Sequence, residues 1–272
     1  MTRFTPLQGN RGQALTWLAP IAIFVVLLGA WEAIVRGVQI PAYQLAPPSL
    51  ISRTLIDRWH ELGPAWVVTL TTMLAALSAA VITGVALAAL FASSRVVEAS
   101  LFPYAVMLQV TPLVAVAPFI ILWIGYERVQ LAQIVCAWIV AFFPILSNTA
   151  IGLHSAEAGH RDLFALYGAS SWQRLKWLLA PSALPYFLAG LRVSANLALV
   201  GAVVAEFVVG EQMDKPGLAS TIFLSQQTSD TPLMFAALSL VSLTGVGTYF
   251  ATHLISRALL RNWHASSIPT EI

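Results

Sequence analysis

Six stretches of this 272-residue chain are too long and too apolar for the strands or core helices of a water-soluble domain. They fall at about 14–35, 65–92, 99–124, 130–152, 183–209 and 232–257. Crossing a hydrocarbon core takes roughly 20 helical residues. In lipid every backbone N–H and C=O must be paired within its own segment, so each run is expected to be a helix. The chain reads as an all-α integral membrane protein with six transmembrane helices. Its charged fraction is 10%, against the roughly 25% of soluble domains. The first run follows Arg3 and Arg11, exceeds a signal-peptide apolar region and lacks a small-x-small site before Trp31, so it is expected to be retained.

Arginine and lysine set the orientation, because short cytoplasmic loops carry the excess. An inside N-terminus places Arg3, Arg11, Arg95, Arg161, Arg174, Lys176, Arg257 and Arg261 in the cytoplasm, with Arg192 beginning the fifth span. Arg36, Arg53, Arg58, Arg128 and Lys215 then lie outside. Both termini are expected to be cytoplasmic. Residues 1–13 and 261–272 form short tails around a single membrane domain, 14–260. A net charge of +2 fits basic loops facing anionic lipid and calls for no nucleic-acid partner.

Within the spans, Pro103, Pro112 and Pro118 predict a kinked or interrupted third helix. The small residues of AALSAAVITGVALAAL in the second span predict close packing within the chain. Cys136 is expected to be a packing residue. The external stretch around Leu50, Ile51, Leu55, Ile56 and Trp59 has helical spacing and is expected at the membrane surface. Ionisable groups inside lipid are costly and mark function by default. Glu206 is the leading candidate, facing either a translocation pathway or a structural partner. Asn196, Gln109, Thr111 and Asn148 are further pathway candidates, with helix-to-helix hydrogen bonding as the competing role. Glu32 is expected at an interface.

The chain lacks catalytic constellations. Its two lysines, Lys176 and Lys215, follow Leu175 and Asp214, so no phosphate-cradling Gly-Lys loop exists. There is no HExxH or GxSxG pattern. The histidines, His60, His154, His160, His253 and His264, are scattered. No enzyme activity, metal or cofactor in this chain is expected.

One basic, proline-punctuated insert separates the fourth and fifth runs: GASSWQRLKWLLAPSALP, residues 168–185. Before it, AEAGHRDLFALY can run as a helix. Gly168 then stands where a helix C-terminus needs positive φ. Ser170 and Gln173 have capping-box spacing, so a second helix starts there. Pro181 is expected to end it. That helix places Trp172, Leu175, Leu178 and Leu179 on one face and Gln173, Arg174 and Lys176 on the other. It either lies on lipid headgroups or docks on a protein, and the capped corner before it favours docking.

The insert resembles the cytoplasmic "EAA" loop of bacterial ABC-importer permease subunits, in which Gly168 to Pro181 keeps the family's glycine-to-proline distance. Residues 181–210 are similar to the next span of the nitrate, sulfonate and taurine branch, and the likeness extends from about Leu45 to Leu260. The chain departs from Glu-Ala-Ala with Asp162, Leu163 and Phe164, and Ala180 precedes Pro181 where leucine is usual. The resemblance implies a coupling loop between spans four and five, with Asp162, Gly168, Ala169, Ser170, Arg174 and Pro181 as ATPase-coupling residues. It also implies a separate ATP-binding cassette subunit carrying ATP–Mg, an external solute-binding protein, a permease homodimer and an inner-membrane location. The expected solute is a sulfonate, taurine or nitrate, with a pyrimidine-type thiamine precursor or riboflavin as the alternative. A secondary transporter titrating Glu206 or Glu32 is the rival of a different class; it calls for paired charges or inverted repeats, and neither is evident.

Overall fold

The computed structural model of the protein describes residues 10–209 and 216–261, and the side chains from residue 19 to 208 and 216 to 261. Arg3, Glu211, Asp214, Lys215, His264 and most of both expected tails lie outside the described residues.

The first long helix, α1 (Asn10–Gly37), leads to a short helix α2 (Pro48–Asp57) and then to α3 (Trp59–Ser93). Next come α4 (Arg95–Val110) and α5 (Leu113–Ile124), a 3₁₀ turn at Tyr126–Arg128, and α6 (Val129–His154). The expected insert holds α7 (Ala158–Leu166), α8 (Ser171–Arg174), a π turn at Leu175–Leu179, and α9 (Ala180–Val209). After residue 216, α10 (Leu218–Gln227) and α11 (Thr231–Leu260) complete the chain. Among the described residues five helices are long and apolar enough to cross a membrane, and six if α4 and α5 count as one broken span bent by 102°.

That break sits where the sequence puts a proline after a residue that cannot stay helical. Thr111 is extended (φ −70°, ψ 124°), because the ring of Pro112 excludes the helical region for its predecessor. The Thr111 hydroxyl donates to the Met107 carbonyl at 2.7 Å, adding to the bond that carbonyl takes from the Thr111 N–H at 3.2 Å. Pro103 and Pro118, by contrast, remain inside α4 and α5.

The centre of the bundle is α6, clasped between α3 and α9. Lipid tails supply no hydrophobic drive between helices, so contact depends on backbones coming close through small residues. Ala76, Ala80 and Ala88 of α3 are buried, as are Ala137 and Ala141 of α6 and Ala198 and Ala202 of α9. The α6–α9 seam has no room for a side chain at Gly190, where a Cβ would lie 2.6 Å from the Pro144 carbonyl oxygen. At Gly201 a Cβ would lie 2.7 Å from the Ala137 Cα. These contacts run α6 and α9 antiparallel. Cys136 is fully buried in the same seam, as a packing residue.

The outlying α2 does not lie loosely on a surface. Ile51 is buried and Leu55 packs with Leu218, Leu233 and Ala236, so α2 is docked on α11, while Ile56 and Trp59 remain exposed. Glu32 of α1 accepts from the Ser49 backbone N–H (3.0 Å), the Ser49 hydroxyl (2.7 Å) and Arg36 (2.5 Å), tying α1 to the start of α2. Ile21, Ile23, Phe24, Val25, Val26 and Leu27 of α1 are otherwise exposed.

The expectation that Pro181 ends the second insert helix is overturned. The chain runs as one 38-residue helix from Ser171 to Val208. The π turn lies immediately before the proline, with the Ala180 N–H donating to the Leu175 carbonyl five residues back. A regular helix would press the pyrrolidine ring against the carbonyl of residue 177; the wider turn relieves that clash. The change of register also corrects the expected apolar face: Leu175, Leu178 and Leu179 pack into the core, whereas Trp172 is exposed.

Candidate functional site

Two constellations lie at opposite ends of the 171–208 helix. The first is the corner between α7 and α8. Gly168 has φ +66°, a conformation open to glycine and costly to other residues. Its N–H donates to the Ala165 carbonyl (3.0 Å) and the Ala169 N–H to the Phe164 carbonyl (3.0 Å), the paired bonds of a Schellman ending. Two residues on, the Ser170 hydroxyl accepts from the Gln173 N–H (3.3 Å), and the Ser170 N–H donates to the Gln173 side chain (2.8 Å). Both halves of the capping box are present. The turn is therefore closed from both sides, and the following helix transmits its position into the bundle.

Asp162, Gly168, Ala169, Ser170 and Arg174 all belong to this corner; Pro181 does not, since it lies inside the continuing helix. Leu166 and Tyr167 are 82% and 80% exposed, and Trp172 and Trp177 are exposed with them. Apolar side chains presented this way beyond the end of a span mark a surface that meets another molecule. A cleft of about 350 Å³ between Leu163, Phe164, Tyr167 and Trp177 adds shape to it. The bulky Leu163 and Phe164, which replace small residues of the expected motif, thus form one wall of that cleft. Nearby, His154 Nε2 lies 3.9 Å from Glu98, linking the end of α6 to the start of α4.

The second constellation holds Glu206, which is fully buried. Its Oε2 accepts from the Ala219 N–H at 2.9 Å, and its backbone carbonyl accepts from the Ser220 hydroxyl at 3.4 Å. Thr69 of α3 accepts from the Leu218 N–H at 2.9 Å. Orphan donors at the start of α10 are thus capped by side chains from two other helices. The N-cap residue itself, Gly217, is extended (φ −84°, ψ −175°) and has no side chain to offer. A Cβ there would overlap the Glu206 carboxylate. The Oε2 contact matches the structural-partner reading, while the buried Oε1 has no hydrogen-bond partner among the described residues. Thr69 and Gly217 were not singled out by sequence; a glycine heading an apolar-polar helix without a capping residue is the signal available.

Beside this cap, a cavity of about 1020 Å³ opens between the start of α3, the middle and end of α10 and the start of α11, with Gln130 of α6 in its wall. Arg58 pairs there with Glu61 (2.8 Å) and with Asp230, which also caps α11 through the Leu233 N–H (3.3 Å). The Glu61 hydrogen bond, with Asp230 adding to it, raises the Arg58 guanidinium above its ordinary value.

The remaining candidates do not converge. Asn148 Nδ2 donates to the Pro144 carbonyl (2.9 Å) and packs at Gly190 in the α6–α9 seam, a helix-packing role. Gln109 and Thr111 are exposed at the α4–α5 break. Asn196 lines a separate groove between α9 and α11. Arg192, expected at the start of the fifth span, lies twelve positions into α9 instead.

Residues 80–261 match the family described as binding-protein-dependent transport system inner membrane component. The chain is 35% identical over 262 residues to the riboflavin transport system permease protein of Chloroflexus aurantiacus, covering 93% of this chain and 94% of that protein. It is 31% identical over 247 residues to the formylaminopyrimidine transport permease protein of Halalkalibacterium halodurans, covering 89% and 95%. More distant relatives include permeases named for aliphatic sulfonates, nitrate and taurine. Among solved structures, an amino acid ABC transporter with histidines superposes with a TM-score of 0.61 at 14% identity, over 75% of this chain and 97% of that one. That likeness shows the fold alone.

Proposed function

We infer, from the premise that this chain belongs to the family of binding-protein-dependent transport system inner membrane components, that it carries a solute inward as one half of a homodimeric importer. It is an ABC-importer permease, a multi-pass subunit of the inner membrane without an ATPase site of its own. Such subunits work with an ATP-binding cassette subunit and an external binding protein. In our reading the ATPase holds ATP–Mg and seats on the Gly168 corner, the family's EAA loop. This places the corner and both termini in the cytoplasm and the α10 cavity at the external face, where the binding protein delivers solute.

The observation that carries this reading is mechanical. A doubly capped corner with exposed Leu166, Tyr167 and Trp172 continues without interruption into a helix of 38 residues, about 57 Å at 1.5 Å per residue. Its far end holds α10 through Glu206. Displacement of the corner by a closing ATPase therefore moves the bundle's centre and the external helix α10 together, a rigid-body switch between two access states.

For the solute we put a planar nitrogen heterocycle, of the riboflavin or formylaminopyrimidine kind, ahead of a sulfonate, nitrate or taurine. Support comes from the 35% identity of the riboflavin permease and the near-complete coverage of it and of the formylaminopyrimidine permease. The gradient-driven alternative gives way to the ATP-driven reading on the family match and the near-complete coverage of a permease relative.

The test is Gly168→Pro in the full importer. Membrane insertion is expected to persist, while capture of the ATPase and ATP-dependent uptake are lost. A variant that retains its ATPase and transports normally would show that the corner is not the docking element.

A further inference from the structure

Two polar side chains on α9, Arg192 and Asn196, stand one helical turn apart and so share a face. Both lie inside the apolar layer. Gly190, two residues before Arg192, packs on Pro144, which is ten residues from the corner end of the 26-residue α6. At 1.5 Å per residue that is about 15 Å of depth. An arginine at such depth is costly to insert unless it is paired. Ordinarily a carboxylate or carbonyl offsets this, but among the described residues Arg192 makes no hydrogen bond or ion pair, and its Nε is buried without a partner. Its one contact is with an aromatic face: the guanidinium carbon lies 5.8 Å from the centre of the Tyr249 ring. Asn196 likewise makes no side-chain hydrogen bond among the described residues.

Both adjoin the same feature: Asn196 lines it directly, and Arg192 borders it through the Tyr249 ring. Tyr249 and Asn196 line a groove of about 590 Å³ between α9 and α11, whose other walls include Val200, Val246 and Phe250. This volume is in the range that small organic ligands fill. The walls carry no acidic side chain, and the lining hydroxyl of Ser242 is already committed as a donor to Leu238. The groove thus offers apolar and aromatic walls and an amide that can both donate and accept, with a permanent planar cation at its edge over Tyr249.

We propose that the α9–α11 groove is the intramembrane half-site for the transported solute, with Arg192 and Asn196 binding the carbonyl-bearing edge of a planar heterocycle against Tyr249 and Phe250. The proposal rests on the importer reading above and assigns the residues that recognise the ring. A flat ring with apolar faces matches these walls. Its carbonyl oxygens accept from the Arg192 fork, and an adjacent ring amide pairs with Asn196 as donor and acceptor. A tetrahedral sulfonate presents no face to Phe250 and leaves the acceptor of Asn196 unused.

The experiment uses the complete importer, with its ATPase and binding protein, in proteoliposomes. Uptake of riboflavin, formylaminopyrimidine, taurine and nitrate by the wild type comes first and judges the heterocycle reading on its own. Arg192→Gln, Arg192→Lys and Asn196→Ala are then compared for insertion, ATPase capture and the KM of the solute carried. With insertion and capture intact, Arg192→Gln and Asn196→Ala are each expected to raise KM about tenfold, the loss of one strong hydrogen-bonded pair. Arg192→Lys should fall between, keeping charge without the fork. Unchanged KM in both Arg192→Gln and Asn196→Ala overturns the assignment while leaving the importer intact. It is also overturned if added phosphatidylglycerol stabilises the wild type but not Arg192→Gln and KM is unmoved, because Arg192 then holds a lipid headgroup. A wild type that carries only taurine or nitrate overturns both the ring chemistry assigned to the groove and the solute reading.

Discussion

Exchange of the cap between residues 206 and 217 tests the external end of the long helix most directly. In Glu206→Ala the Ala219 N–H loses its acceptor at 2.9 Å and is left buried and unpaired, at a cost of about 1–3 kcal/mol. Truncating a fully buried side chain also leaves a void, so the net loss should be about 2–3 kcal/mol. Gly217→Ser alone drives a Cβ onto that carboxylate and should cost about 1–3 kcal/mol through overpacking. Combined, the two changes should largely cancel. Residue 217 already has the extended backbone of an N-cap, so a serine there can accept from the start of α10 once the carboxylate is gone. The double variant is expected within about 1 kcal/mol of wild type, a coupling of at least ~2 kcal/mol. Thermal unfolding of the detergent-solubilised protein, followed by the loss of monodisperse material, gives the comparison for all four proteins. Additive losses, within about 0.5 kcal/mol, would refute the reasoning, since the carboxylate would not then be the cap that glycine makes room for.

Further expectations follow from the same contacts. Pro181→Ala should change thermal stability by less than about 1 kcal/mol, because the π turn already accommodates the ring and the helix continues through it; a large loss in the same unfolding assay would contradict that. Gly190→Val should cost more than about 3 kcal/mol by forcing α6 and α9 apart at Pro144, seen as poor recovery of folded protein; near-wild-type recovery would mean that the seam yields. Trp66→Phe removes a 2.8 Å bond to Thr244 and should cost about 0.6 kcal/mol, the usual scale for a polar contact between membrane helices. Arg58→Ala separates α3 from the Asp230 cap of α11 at a partly exposed site and should cost no more than about 1 kcal/mol, the loss shrinking in high salt.

The sequence by itself determined the features whose physics is local. Apolar length made helical membrane spans unavoidable, because unpaired backbone groups are intolerable in lipid. Gly168, Ser170 and Gln173 specified a capped corner, and Pro112 a break, since these signals act over four or five residues. Tertiary structure decided what depends on neighbours far along the chain. Pro181 was expected to stop a helix, but Leu175, Leu178 and Leu179 pack into the core and hold it continuous, so packing outweighs the proline and the strain is absorbed by one wide turn. Glu206 carried the same costly charge on either sequence reading. Only the approach of Gly217 and the start of α10 turned it into a cap. Arg192, read from the sequence as beginning the fifth span, became a deeper intramembrane group once α6 and α9 were aligned at Gly190 and Pro144. Local chemistry fixes where a helix starts and bends; which polar group is satisfied, and which is left open to a solute, is settled by the surfaces that distant helices bring together.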